Sequence, residues 1–223
     1  MNAEPLKPPQ PAQDHGSLVA LAALALLVGT AAGTVGALFR LALEHADEWR
    51  NVLITWAQEK GIAGFLLVLM TCTTAPLLAA LLVRRVSPHA SGSGIPHVEA
   101  VLREEIPPAP FHLIWVKFLG GLLAIGSGLA LGREGPSVQM GASIALLVGR
   151  VFRRKWPDCR VLFAAGAGAG LATAFNAPIA GAVFVLEELV RRFEPHIAIA
   201  AVGASATAIA VARVFLKIGR AHV

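Results

Sequence analysis

Six stretches of this chain contain no charged residue: 17–39, 61–83, 118–132, 135–149, 161–186 and 197–212. An α-helix rises about 1.5 Å per residue, so about 20 apolar residues cross the ~30 Å hydrocarbon layer of a bilayer. Three of the runs exceed that length. The two that flank residues 133 and 134 are shorter, as broken or re-entrant helices are. With 56% hydrophobic and 15% charged residues, the chain also falls well below the roughly 25% charge of a soluble domain. The expectation is an all-α integral membrane protein of tilted and broken transmembrane helices. The first run is long for a signal peptide and follows mixed charge (Glu4, Lys7, Asp14), so it is expected to span the membrane.

The net charge of +5 does not point to nucleic acid, because the cations are spread as loop charges rather than gathered into a patch with interleaved aromatics. Arg84, Arg85, Arg150, Arg153, Arg154, Lys155, Arg160, Arg191 and Arg192 are expected on the cytoplasmic side by the positive-inside rule. Residues 44–60, with four acids against two bases, are then expected outside. Cys72 and Cys159 give no basis for a disulfide. The seven histidines show no ligand spacing, and neither a metal nor a cofactor is expected.

Residues 1–16 are rich in Pro and polar side chains and are expected to form a disordered cytoplasmic tail. Helices are expected at about 17–48, 61–84, 94–104, 110–131, 135–151, 159–174, 178–193 and 196–215, with Pro or Gly at most joints. The small-residue string Gly166-Ala167-Gly168-Ala169-Gly170 suits close helix approach in lipid. It is no dinucleotide fingerprint, since an uncharged run of this length forms no βαβ unit. Residues 218–223 match the translation of a common sequencing adapter. The expected domains are therefore the tail 1–16, a transmembrane domain 17–216 and a non-native tail 217–223.

Gly132-Arg133-Glu134-Gly135-Pro136 places an arginine, a carboxylate and a helix start between two apolar runs. A charge at membrane depth costs about 2.5–3.5 kcal/mol on insertion scales, so an ionisable residue there marks an ion or proton path. Pro suits a first helical turn, and a helix start aims free N–H groups and a positive dipole end at an anion. Gly92-Ser93-Gly94-Ile95-Pro96 repeats this logic and adds a hydroxyl. Two broken-helix N-termini bind a halide through partial charges, strongly enough to strip some hydration and weakly enough to release it.

These two motifs, Lys117 within Val-Lys-Phe-Leu-Gly-Gly, Ala174-Phe175-Asn176-Ala177-Pro178 and the pair Glu187-Glu188 follow in an order that resembles the CLC family of chloride channels and chloride/proton antiporters, from about residue 17 to 215. The resemblance implies a CLC-type fold, here the first of two inverted repeats of a prokaryotic-type member. It implies chloride binding at Gly92, Ser93, Arg133, Glu134 and Gly135, with the Ser93 hydroxyl on a central chloride and the Glu134 carboxylate as gate. It matches Glu188 to the internal proton-transfer residue of the antiporters, which channel-type members generally replace by an uncharged one, and it makes Lys117 a structural cation. Chloride and protons are the implied substrates and no cofactor is implied. Also implied are a lipid bilayer, a homodimer for the complete protein and a multi-pass place in a bacterial inner membrane.

Departures from the family pattern are informative. The second-half Gly-x-Phe-x-Pro segment is missing, and the chain contains no tyrosine to complete the central site, so this fragment alone is expected to be inactive. His97 stands where many relatives have an acid. The expected function is chloride/proton exchange rather than enzymatic. Alternatives are a passive chloride channel of the same family and, distantly, an intramembrane serine protease with Ser93 as nucleophile and His89, His97 or His112 as base.

Overall fold

The computed structural model describes residues 15–220, with side chains from 18 to 217. Residues 1–14 of the expected tail and 221–223 of the expected non-native segment lie outside the described residues. The rest forms eight α-helices and no strand among the described residues. α1 (His15–Gln58), α2 (Gly61–Val86) and α8 (Pro195–Arg220) each contain a segment long and apolar enough to cross a membrane. Between them lie α3 (Ile95–Leu102), α4 (Leu113–Gly126), α5 (Glu134–Val151), α6 (Trp156–Phe175) and α7 (Pro178–Phe184).

Several boundaries differ from expectation, among them the ends of α1, α4 and α7; α8 also runs to Arg220 rather than 215. α1 was expected to end near 48 but continues for another ten residues. No Gly or Pro interrupts 49–58, and Arg50 bonds Asp47 one turn back at 2.7 Å. At about 66 Å, a helix of 44 residues must tilt or protrude from the bilayer. α4 stops at Gly126 rather than 131, since Gly128 takes φ 104, where a helix cannot continue. α7 ends at Phe184, and the chain then widens into a π-helical turn, Val185–Val190, closed by Arg191 at φ 56.

α6 is the hub. Every residue from 162 to 174 is buried, with α1, α5, α7 and α8 packed around it. Lipid gives no hydrophobic drive for helices to associate, so close backbone approach must supply the packing. At the α5–α6 crossing, a Cβ added to Gly141 would lie 2.2 Å from the Gly166 carbonyl oxygen, and one on Gly170 would lie 2.1 Å from that of Ser137. α2 is the opposite case, with only Gly64 and Ala79 buried along its length.

The end of α3, the start of α6 and the segment before α8 meet at an arginine-rich end. Arg160 donates to Leu102 O at 3.2 Å and pairs with Glu194 at 3.3 Å. Trp156 donates to Glu104 at 2.8 Å. Arg192 also binds Glu194. Burial alone would raise the Glu194 carboxyl, but the hydrogen bonds and charges of Arg160 and Arg192 outweigh it and hold the group below the usual carboxylate range.

Candidate functional site

Both motif segments run from non-helical chain into a helix start, and the two starts meet. Gly94 takes φ 95, a conformation open to glycine and strained for residues with a Cβ, and α3 begins at the next residue with Pro96 in its first turn. α5 begins at Glu134, so Pro136 is the third helical residue rather than the first. Ser137 N donates to Arg133 O at 3.1 Å, which leaves the preceding amides of the first turn without intrahelical acceptors. A Cβ on Gly135 would fall 2.4 Å from Ser93 O. The backbones of Ser93 and Gly135, 42 residues apart in sequence, are therefore in contact.

Lys117 anchors this junction. It is 4% exposed, and its ammonium donates to Ala90 O at 2.9 Å and Gly92 O at 2.7 Å. A trans peptide points its C=O and N–H in opposite directions. With the Gly92 carbonyl drawn to Lys117, the Ser93 amide is turned away from the cation. Gln139, fully buried on α5, donates to His89 O at 2.8 Å and crowds Gly94, where an added Cβ would sit 2.5 Å from Gln139 Oε1. Gln139 was not singled out from the sequence; a polar residue one turn into an apolar helix was its only signal.

The Glu134 side chain curls back over its own helix start, with a Cβ on Gly132 falling 2.1 Å from Glu134 Oε1. Among the described residues it has no ion-pair partner, neither Arg133 nor Lys117. Gly92, Ser93, Lys117, Glu134 and Gly135 line one cavity of about 850 Å3. Arg133 and Glu188 do not line it. Glu188 is exposed on the π turn at the arginine-rich end, with Glu187 beside it. His97 faces His89 with ring centroids 5.5 Å apart, and its ring nitrogens are buried without a partner. No hydrogen bond joins Ser93 to a histidine among the described residues, so the geometry offers no nucleophile–base pair of the kind a serine protease needs.

The arrangement is two positive helix ends and a hydroxyl facing one cavity, with an unpaired carboxylate at the same place. Fixed dipoles of this kind suit an anion.

Residues 75–222 match the sequence model described as voltage gated chloride channel. The chain is 41% identical over 181 residues to the H(+)/Cl(-) exchange transporter ClcA of Vibrio vulnificus, covering 80% of this chain and 39% of that protein. It is 44% identical over 171 residues to the protein of the same name from Vibrio cholerae, covering 76% and 36%. The chain thus spans about two fifths of the length of these relatives. Among solved structures, a slow cyanobacterial Cl-/H+ antiporter superposes with TM-score 0.83 at 33% identity, covering 87% of this chain and 46% of that one. A CLC-type fluoride/proton antiporter superposes with TM-score 0.77 at 28% identity, covering 90% and 48%.

Proposed function

Because the chain belongs to the voltage gated chloride channel family and has its all-α membrane fold, we propose that it supplies the first repeat of a chloride/proton exchanger. Chloride passes the junction formed by Gly92, Ser93, Arg133, Glu134 and Gly135, Glu134 is the gate, and Glu188 transfers protons from the arginine-rich side. The observation that carries this reading is the contact between Ser93 and Gly135, with the unpaired Glu134 carboxylate on the same cavity. A deprotonated Glu134 occupies the anion's place; a protonated one gives up that place and takes its proton with it. One side chain thereby ties anion exit to proton entry. Relatives named as H(+)/Cl(-) exchange transporters support exchange over passive conduction.

The proton branch tests the proposal directly. In the complete two-repeat protein, Glu188→Gln removes the group that takes up protons at the arginine-rich end. Chloride flux should remain measurable in proteoliposomes while uphill proton pumping driven by a chloride gradient falls on the order of a hundredfold or more, as when a proton-transferring side chain is removed. Pumping at wild-type stoichiometry would sink the exchanger reading and leave a passive channel.

Selectivity tests the anion branch. Ser93 brings a hydroxyl donor to the cavity, and proline has neither hydroxyl nor N–H. Ser93→Pro is expected to raise nitrate transport relative to chloride by about fivefold to tenfold, the equivalent of a lost hydrogen bond of roughly 1–1.4 kcal/mol. Paired nitrate and chloride flux measurements read the ratio, and an unchanged ratio removes Ser93 from the anion site.

A further inference from the structure

The π turn that bears Glu188 is tied to α3, the helix that starts at the Ser93 motif. Arg191 makes the tie. Its Nη2 lies 3.0 Å from Glu99 Oε1 on α3, and its Nε donates to the carbonyl oxygen of Glu188 at 3.3 Å. One guanidinium thus bridges the backbone of the proposed proton-transfer residue and a carboxylate one turn along the helix that begins beside Ser93. Beneath the bridge, Val98, Val101 and Leu102 of α3 share a buried cluster with Val185 and Leu189 of the π turn. Both segments therefore rest on one apolar base, and the ion pair joins them across it. Two backbone features indicate that this placement matters. A π-helical turn is uncommon and concentrates at functional sites, and Arg191 sits at φ 56, which is disfavoured for any residue with a Cβ.

We propose that Arg191, through Glu99, is a positioning residue for proton transfer, holding the Glu188 turn in register with the Ser93 segment so that proton uptake stays coupled to anion movement. This inference rests on the exchanger reading and on the role given there to Glu188. Arg191 itself touches neither ion. It is an exposed side chain, and an exposed pair is weak, so its effect is expected on coupling and not on whether the protein folds.

Arg191→Gly is the cleanest variant, because glycine takes the positive φ without strain and the turn is preserved. Glu99 keeps a second guanidinium, Arg103, at 2.5 Å, so no carboxylate is left unpaired. In the complete two-repeat protein reconstituted in liposomes, Arg191→Gly and Glu99→Gln are each expected to lower the proton-to-chloride stoichiometry by about two- to fivefold, the range into which the energy of an exposed ion pair converts. Chloride flux should stay within about twofold of wild type on the same ground. The double variant should be little worse than the more affected single one, since the Arg191–Glu99 pair is the interaction that both remove, and Arg191→Lys should restore most of the coupling. Wild-type stoichiometry in Arg191→Gly, additive losses in the double variant, or a parallel fall of chloride and proton flux would each overturn the proposal. Glu188→Gln, run alongside, separates the two claims. If it abolishes pumping while Arg191→Gly does nothing, only the positioning role fails; if it pumps normally, the exchanger reading fails first.

Discussion

Glu134→Gln in the complete two-repeat protein is expected to keep chloride moving while proton exchange disappears. Glutamine has nearly the shape of a protonated glutamate but neither ionises nor carries a proton. The carboxylate lies over Gly132 with no cation holding it among the described residues, so the substitution breaks no ion pair and should leave the surroundings intact. Proton flux should fall on the order of a hundredfold or more, as for loss of an essential proton-transferring group. Chloride flux should lose its dependence on external pH. Parallel chloride-electrode and pH-electrode traces from one liposome preparation would decide it. Abolished chloride movement, or retained pumping, would remove Glu134 from the gate.

The largest structural effect is expected at the α5–α6 crossing. Gly141→Ala places a methyl 2.2 Å from a backbone oxygen of Gly166, and a helix backbone has no rotamer with which to move aside. The helices must separate, and the buried glycine and alanine contacts along α6 loosen with them. Overpacking of this kind costs about 1–3 kcal/mol or more, a drop in Tm on the order of 10 °C or below for a chain of this size. Gly120→Ala is the matched control: its added methyl meets only Val83 Cγ2, at 3.6 Å, and the change should stay within about 0.5 kcal/mol. Thermal unfolding in detergent compares the two, and equal Tm values would show that the close approach contributes nothing.

The sequence made the helix-breaking points of the site readable. Gly92 to Pro96 and Gly132 to Pro136 combine freedom of φ with a proline suited to a first turn, and the chain enters α3 and α5 there. Its family pattern was also legible from motif order. The contact between the two motifs was not, since nothing local in 92–96 specifies that its backbone will lie against residue 135. That depends on Lys117 and Gln139, which bind carbonyls of Ala90, Gly92 and His89 and whose partners are invisible in a linear pattern. The π turn was missed because Val185–Val190 reads as the ordinary end of a helix, with no Gly or Pro to announce a change of pitch. α1 ran past its expected end for the converse reason: the charges of 44–60 suggested a loop, yet pairs such as Arg40–Glu44 and Arg50–Asp47 suit a helical repeat equally well.

The central position of α6 bears on the order in which the protein can be made. Synthesis proceeds at about 5–20 residues per second, so the ribosome delivers α6 seconds before α8, one of the helices that cover it. During that interval a glycine- and alanine-rich face meets lipid or the insertion machinery instead of its final neighbour. Such a face offers few large side chains to grip lipid and few polar groups to repel it, so it can wait without choosing a wrong partner. The surface that permits tight packing in the finished protein is then also the one that leaves the half-made protein uncommitted.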